Sequence, residues 1–319
     1  MSDNIDFNDL RKRAVSQPLV VDKYTADPSA HVFDGKIYIY PSHDIDAGIP
    51  FNDNGDHFGM RDYHAYTMES PDDKLATDLG KILDVDEVPW AKRQMWAPDI
   101  ARKGDKYYFY FPAKDKDDIF KIGVALGDSP SGPFTPDPKP IEGSYSIDPA
   151  VFNDNGKYYM YFGGLWGGQL QKYRNNIYSN GNELRSDDDF AFGPLVAELS
   201  DDMRGFSTSP EEIIIQDENG NPLLAGDNSR RYFEGPWVHK YNEKYYLSYS
   251  TGDTHFICYA IGDTPKGPFK YAGKILDPVV GWTTHHSICE FNGRWFLFYH
   301  DSSLSEGVTH LRCLKVVEI

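Results

Sequence analysis

Five stretches of the chain share a pattern in which apolar and polar positions alternate, a polar turn follows, and an aromatic-rich alternating run comes next. The clearest copy spans residues 148–162, where Asp-Pro-Ala-Val-Phe leads into a turn at residues 153–156 and then into Lys-Tyr-Tyr-Met-Tyr-Phe. A period of two is typical of half-buried strands, and Asn-Gly turns close hairpins. Each copy therefore predicts a β-hairpin. The copies are headed by Asp27, Asp99, Asp148, Glu234 and His285.

The spacing of these hairpins predicts the fold class. Repeats roughly 50–85 residues apart, each followed by further strand-like sequence, are typical of propeller blades. The sequence predicts an all-β, five-bladed β-propeller formed by residues 22–319 as a single domain. Residues 1–21 form a polar lead-in with a candidate helix at residues 7–15. We expect the last strand, residues 311–319, to complete the first blade and close the ring.

A propeller brings the residues that head its five inner strands to one central funnel. In this chain the rule gathers four carboxyl groups and one imidazole: Asp27, Asp99, Asp148, Glu234 and His285. Burying several charged groups together costs free energy, so such a cluster indicates a functional site. The funnel is the candidate active site.

Composition and charge limit the classes of binding partner and the cellular compartment that we expect. The chain has 319 residues, 40% of them hydrophobic and 15% aromatic, which is enough for a packed core. A net charge of −17 disfavours nucleic acid as a partner. No apolar run is long enough to span a membrane, the N-terminus has no secretory signal, and the three cysteines cannot all pair. We expect a cytoplasmic protein without membrane contact, and the sequence leaves oligomerisation open.

Carboxyl groups that face one another across a sugar-sized opening are typical of the active sites of glycoside hydrolases. One group must keep a proton for the leaving oxygen, and a second, ionised one must activate water. Asp148 heads the blade next to that of Glu234, so its charge should keep Glu234 protonated near neutral pH. One blade separates Asp27 from Glu234, and a wide gap of about 6.5–9.5 Å favours inversion of configuration. We expect Asp99 to be structural.

The motifs around these acids resemble those of glycoside hydrolase family 43, the five-bladed propeller enzymes that act on xylan and arabinan side products. The matching segments are Ala-Asp-Pro-Ser at residues 26–29, Trp-Ala-Pro-Asp at 96–99, Ser-Ile-Asp-Pro at 146–149 and Phe-Glu-Gly-Pro at 233–236. They follow the family's order over nearly the whole chain. The resemblance implies that Asp27 is the general base, that Glu234 is the general acid, and that Asp148 tunes and orients the acid.

The same resemblance implies a metal. The segment Thr-His-His-Ser at residues 284–287 is similar to the family segment whose histidine approaches a calcium ion on the propeller axis. Carried over by position, this histidine is His285. Imidazole is an unusual calcium ligand, so oxygen donors and water must complete the shell, and the alternative is a histidine that only hydrogen-bonds the acids. We expect His286, on the opposite face of the strand, to be a core residue.

Candidate substrate-binding residues lie near the same motifs. Indole rings stack on the flat faces of sugars, and packing is the alternative role for each tryptophan. A long polar segment at residues 41–61 is a candidate rim loop. The candidates are Trp96, Trp166, Trp237, Trp282, His43, Arg61 and Arg312.

The predicted function is that of an exo-acting β-1,4-xylosidase that releases xylose from xylo-oligosaccharides. Long insertions at residues 41–61 and 169–231 should close one end of the funnel into a pocket. The alternatives are an α-L-arabinofuranosidase or a bifunctional enzyme acting on arabino-oligosaccharides, then an endo-arabinanase, and finally a non-catalytic carbohydrate-binding propeller. The motifs of serine hydrolases, zinc proteases and P-loop proteins are missing from the sequence.

Overall fold

The computed structural model describes residues 16–319, in which the alternating segments form strands grouped around a central axis. The candidate helix at residues 7–15 lies outside the described residues. The first blade is an antiparallel sheet of four strands, β1 (Tyr24–Phe33), β2 (Lys36–Asp44), β3 (Asp62–Met68) and β4 (Thr77–Asp84). The second has the same order, with β5 (Asp99–Lys103), β6 (Lys106–Lys114), β7 (Phe120–Gly127) and β8 (Thr135–Pro136).

The third and fourth blades contain the longest insertion. The third blade and its insertion comprise β9 (Ala150–Asp154), β10 (Lys157–Phe162), β11 (Tyr173–Arg174), β12 (Ile177–Tyr178), β13 (Leu195–Glu198) and β14 (Glu211–Glu212). In this blade β9, β10, β13 and β14 pair in order, while β11 and β12 form a separate ribbon. The fourth blade comprises β15 (Ile215–Gln216), β16 (Glu234–Tyr241), β17 (Lys244–Ser250), β18 (Ile257–Gly262) and β19 (Phe269–Leu276).

The fifth blade consists of β20 (His286–Phe291), β21 (Arg294–Asp301) and β22 (Cys313–Glu318). The inner strands β1, β5, β9, β16 and β20 contact one another in that order, and β20 returns to β1. The predicted five-bladed propeller is therefore confirmed.

Among the described residues, three single-turn 3-10 helices occur at Val85–Glu87, Trp166–Gly168 and Leu170–Lys172. No helix within residues 16–319 has the length and apolar character needed to cross a bilayer.

The expected closure of the ring is wrong in one respect. The C-terminal strand β22 does not join the first blade but pairs antiparallel with β21, so it belongs to the fifth. The chain before β1 lies beyond β22, where the Leu19 amide donates a hydrogen bond to the Leu314 carbonyl at 2.8 Å. The Ala76 amide, next to β4, donates to the Leu19 carbonyl at 2.8 Å. The N-terminal segment thus bridges the fifth blade and the first.

The core consists of aromatic and aliphatic layers between neighbouring blades. The second strand of each hairpin supplies much of it, because alternate residues of that strand point into the same layer. Fully buried members of these layers include Tyr40, Phe109, Tyr161, Leu247 and Phe298. This packing fixes the inner strands, and their mouths form the candidate site.

Candidate active site

Irregular backbone at the mouths of three inner strands positions the carboxyl groups. The register between β1 and β2 shifts between Ala26 and Ser29, and Asp27 lies within this shift with φ of 50°. Asp148, two residues before β9, has φ of 58°. The register between β16 and β17 shifts directly after Glu234. Positive φ is unfavourable for residues other than glycine, and bulges re-aim side chains, so these distortions point to function.

The three carboxyl groups line one cavity of about 320 Å³. Two rim segments enclose its mouth: residues 51–60 contribute Phe51, His57 and Phe58, and residues 165–168 contribute Trp166. The other residues relevant to the site that line the cavity are Trp96, Trp282, His285, Arg312, Asp253 and Thr283. The structure therefore brings together Asp27, Asp148 and Glu234, as the sequence predicts.

Asp27 is held by a buried set of hydrogen bonds. Arg312 donates from Nη1 to Asp27 Oδ1 at 2.8 Å, and Ser42 donates from Oγ to Asp27 Oδ2 at 2.7 Å. The Asp27 amide donates to His300 Nδ1 at 3.0 Å, and His300 Nε2 donates to the Thr283 carbonyl at 3.1 Å. Both carboxylate oxygens of Asp27 thus have a donor, which fixes the orientation of the group.

The charge of Arg312 keeps Asp27 ionised. Burial alone would raise the pKa of this carboxyl, but Arg312, then His300 and His285, lower it to about 2. Arg312 is itself buried and is held by Asp44, whose carboxylate accepts bonds from its Nε and Nη2 at 2.8 Å each. Arg312, a loose candidate in the sequence, is therefore an integral part of the site.

Asp148 and Glu234 have the opposite electrostatic character. Burial, followed by the charges of Glu234 and Asp27, raises the pKa of Asp148 well above its usual range. Burial and then the charge of Asp27 raise the pKa of Glu234 to about 8. Two neighbouring buried carboxyls resist simultaneous ionisation, so the pair retains a proton at neutral pH.

Hydrogen bonding indicates which member of the pair keeps the proton. The Gly235 amide donates to Asp148 Oδ2 at 2.9 Å, and this bond favours ionised Asp148. In the part of the chain that the structure describes, no such donor stabilises an ionised Glu234. We therefore assign the proton to Glu234. Asp27 and Glu234 then form an ionised and a protonated carboxyl facing one cavity.

His285 lines the same cavity as the acids and lies close to Asp148. Its Nε2 is 3.8 Å from Asp148 Oδ2, and neither buried ring nitrogen has a hydrogen-bond partner among the described residues. Burial lowers the pKa of this histidine, so the ring is neutral and can act as a ligand. Gly235 has φ of 64°, and a Cβ there would lie 3.0 Å from the imidazole Cδ2. The glycine therefore gives the ring its space.

Three of the four predicted tryptophans line the cavity. Trp166 is 42% exposed at the rim, whereas Trp96 is buried and donates from Nε1 to the Phe58 carbonyl at 2.8 Å. Trp282 packs edge-on against Phe233 with ring centroids 5.7 Å apart. Trp166 is thus the ring that is free to stack on a ligand, and the other two shape the wall.

Three predicted substrate-binding residues lie outside the cavity lining, and their predicted position is therefore wrong. They are Trp237, His43 and Arg61. Trp237 is buried and donates from Nε1 to the Ile288 carbonyl at 2.9 Å. His43 contacts Asp62, and Arg61 forms an exposed ion pair with Asp86 at 2.8 Å.

Asp99 and His286 have the structural roles expected of them. Asp99 accepts hydrogen bonds from Ser29 Oγ at 2.5 Å on β1 and from the Val151 amide at 2.5 Å on β9, and so ties three inner strands together. His286 is buried and contacts Ser248 Oγ through Nε2 at 2.6 Å.

Sequence reasoning missed Ser42, Asp44 and His300, which surround Asp27 and Arg312. All three lie at the ends of second strands in blade hairpins, and these ends meet the same mouth as the inner-strand acids. Polar residues at the ends of second strands could therefore have been predicted as site residues from the antiparallel hairpins alone. The expected contribution of residues 169–231 to closing the pocket is not observed, because none of them lines the cavity.

A family model and several known proteins match almost the entire chain. The family model described as glycosyl hydrolases family 43 matches residues 17–317. Xylosidase/arabinosidase 43A of Humicola insolens is 60% identical over 95% of this chain and 95% of its own length. A β-xylosidase of Xylanibacter ruminicola is 52% identical over 93% of each chain.

A solved structure is also similar to this chain, in both sequence and fold. A GH43 β-xylosidase/α-arabinofuranosidase from a compost microbial metagenome, crystallised with xylotriose in a calcium-free form, is 64% identical. It superposes with a TM-score of 0.93 over 96% of this chain and 94% of its own.

Proposed function

The chain belongs to glycoside hydrolase family 43 and is a glycosidase, and from this premise we propose that it is an exo-acting β-1,4-xylosidase that releases xylose from xylo-oligosaccharides. The observation that carries the proposal is the pairing of ionised Asp27 with protonated Glu234 in one enclosed cavity. The crystallised relative that binds xylotriose supports the choice of sugar.

We propose that the reaction is a single displacement. Asp27 takes a proton from a water molecule as its oxygen attacks the anomeric carbon, and Glu234 gives its proton to the departing glycosidic oxygen as the old C–O bond breaks. Asp148 orients Glu234 and keeps it protonated, and Arg312 keeps Asp27 ionised. One water is consumed, and each carboxyl returns to its starting state by exchange with solvent.

A second candidate activity is α-L-arabinofuranosidase on the same site. The name of the compost-metagenome enzyme includes α-arabinofuranosidase, and that of the Humicola insolens relative includes arabinosidase. A furanose and a xylose present similar hydroxyl groups to the same acids. A bifunctional enzyme follows if both substrates reach the cavity.

Hydrolysis of an aryl β-xyloside, an aryl α-arabinofuranoside and xylotriose tests the proposal. We expect the highest kcat/KM on the β-xyloside, and xylose with xylobiose as the first products from xylotriose. Exclusive turnover of the arabinofuranoside would replace the proposed activity by the second candidate. No turnover of any of the three would contradict the proposed activity altogether.

The proposed roles of Asp27 and Glu234 predict the pH profile of kcat/KM. Because Glu234 must be protonated, the rate falls about tenfold per pH unit once pH exceeds its raised pKa of about 8. Asp27 must be ionised, so the acid limb lies far below neutrality, toward its lowered pKa of about 2. Arg312→Met should move the acid limb to higher pH, because burial then acts on Asp27 unopposed.

Arg61→Met, which removes an exposed guanidinium outside the cavity, is the matched control and should leave both limbs in place. An alkaline limb near pH 5, or an acid limb unmoved in a folded Arg312→Met protein, contradicts the assignment.

We also propose that His285 helps to bind calcium. A cation whose shell is completed by water would fit the neutral ring and the nearby Asp148 carboxylate, since neither ring nitrogen has a hydrogen-bond partner within residues 16–319. When bound, the ion adds positive charge beside Asp148.

Chelation should therefore lower kcat, and added calcium should restore it. Calorimetry should show calcium binding to the chelated wild-type enzyme and not to His285→Ala, while His310→Ala, which removes a histidine beside Asp46 and outside the cavity lining, should bind as wild type does. An unchanged rate after verified metal removal would eliminate calcium from the proposal.

A further inference from the structure

A second group of potential metal ligands lies outside the cavity, on the first blade. His43 on β2 and Asp62 and His64 on β3 form this group, which we call the His43 cluster. One ligand atom from each residue lies within 4.8 Å of the other two. Their side chains are 21%, 18% and 13% exposed, respectively, so the cluster is sheltered but reachable from solvent.

The contacts within the cluster converge on Asp62. His43 donates from Nδ1 to Asp62 Oδ1 at 2.6 Å, and His64 Nε2 lies 4.0 Å from Asp62 Oδ2. The two imidazole rings meet edge-on with centroids 5.3 Å apart. Two nitrogens and a carboxylate oxygen thus point into one small volume.

A second carboxylate fixes the orientation of His64. Its Nδ1 lies 3.1 and 3.2 Å from the two oxygens of Asp78, on β4, and Asp78 is held in turn by Lys23 Nζ at 2.8 Å. An ionised carboxylate only accepts hydrogen bonds, so Nδ1 is the donor to Asp78, and Nε2, 4.0 Å from Asp62 Oδ2, is the nitrogen left for a metal ion. Metal-binding histidines in proteins are oriented by this kind of carboxylate partner.

We propose that the His43 cluster binds a divalent transition metal ion of the zinc class. Two imidazole nitrogens with one carboxylate suit zinc, cobalt or nickel, whereas calcium prefers oxygen ligands. Ligand atoms of such an ion lie roughly 3–4 Å apart, so those of the cluster, which lie within 4.8 Å of one another, must move closer together around it. The ion displaces the proton on His43 Nδ1 to solvent, and water fills its remaining position.

The ion would join β2 to β3 beside two residues that support the active site. Ser42, adjacent to His43, donates to Asp27, and Tyr63, between Asp62 and His64, donates from its hydroxyl to the Trp96 carbonyl at 2.5 Å. Ser42 and Tyr63 pair across the two strands. The structure therefore assigns the site a stabilising role for the wall of the first blade, separate from His285.

Titration of the chelated full-length protein with Co²⁺ and with Zn²⁺ tests this site. We expect one Co²⁺ per chain with the visible absorption of nitrogen-ligated cobalt, displacement of cobalt by Zn²⁺, and a higher melting temperature with Zn²⁺. His64→Asn should weaken binding by about 100-fold or more, and Asp78→Asn by about 10–100-fold. His310→Asn and His285→Ala should bind as the wild type does.

Three outcomes would overturn the proposal. The first is a wild-type protein that gives no cobalt spectrum and no Zn²⁺ heat. The second is undiminished binding in a His64→Asn or Asp78→Asn protein whose circular dichroism matches wild type. The third is loss of the signal in His285→Ala, which would place the ion on the propeller axis.

Discussion

Glu234→Ala is expected to lower kcat on xylobiose by about 10²–10⁴-fold, the usual contribution of a general acid. The leaving group of xylobiose is a sugar alkoxide, which departs only when it is protonated. An aryl xyloside with an acidic phenol as leaving group does not need the proton, so its hydrolysis should be largely preserved. The measurement is kcat on both substrates with each protein.

A matched control is Glu290→Ala, which removes an exposed carboxyl from β20, away from the cavity. It should retain wild-type rates on both substrates. Equal losses on xylobiose and the activated aryl xyloside in a correctly folded Glu234→Ala protein would show that Glu234 is not the proton donor.

Asp27→Ala is expected to lower kcat by about 10²–10⁴-fold on both kinds of substrate. The base acts on the attacking water, so a better leaving group does not compensate for its loss. Azide needs no deprotonation and fits the space left by the carboxyl, so it should raise the rate of Asp27→Ala and yield a glycosyl azide. The measurement is the rate on an aryl xyloside with and without azide.

The control for this variant is Asp105→Ala, which alters an exposed turn of the second blade. It should match the wild type and should not respond to azide. If Asp27→Ala retained substantial activity on the activated substrate, Asp27 would not be the base.

The blades and their acids were predictable because both depend on local patterns. Alternation with a period of two sets the face of every hairpin, and five such hairpins specify the ring. The inner strands then share one mouth, so Asp27, Asp148 and Glu234 must meet there. The raised pKa of Glu234 has the predicted direction, but its causes are burial and then the charge of Asp27, rather than the charge of Asp148 as predicted.

The incorrect placements of Trp237 and His43 have two geometric causes, the depth along the strand and the face of the strand. Trp96 precedes Asp99 and Trp282 precedes His285, so both stand at the mouth, whereas Trp237 lies three residues into β16, roughly 10 Å along the strand. His43 follows Ser42, whose side chain faces Asp27, so alternation turns His43 to the opposite face. Considering how far into the strand a residue lies, and on which face of the strand, would have separated Trp237 and His43 from the residues of the site.

Contacts between segments that are far apart in the sequence could not be predicted. Nothing local to residues 313–318 distinguishes an edge position on the fifth blade from one on the first, since both edges offer the same backbone groups. Likewise, the buried contact between Arg312 and Asp44 joins residues that are 268 positions apart, and only the closed ring brings them together.

The anomeric form of the first xylose released tests the central claim most directly. The account holds that Asp27 activates water while Glu234, across the cavity, protonates the leaving group, so hydrolysis of a β-xyloside should invert the anomeric centre. Proton NMR during the first minutes of hydrolysis of an aryl β-xyloside, in which the only sugar released carries the new anomeric centre, should show α-xylose before mutarotation supplies the β form. Initial appearance of β-xylose would indicate a covalent intermediate and contradict the account.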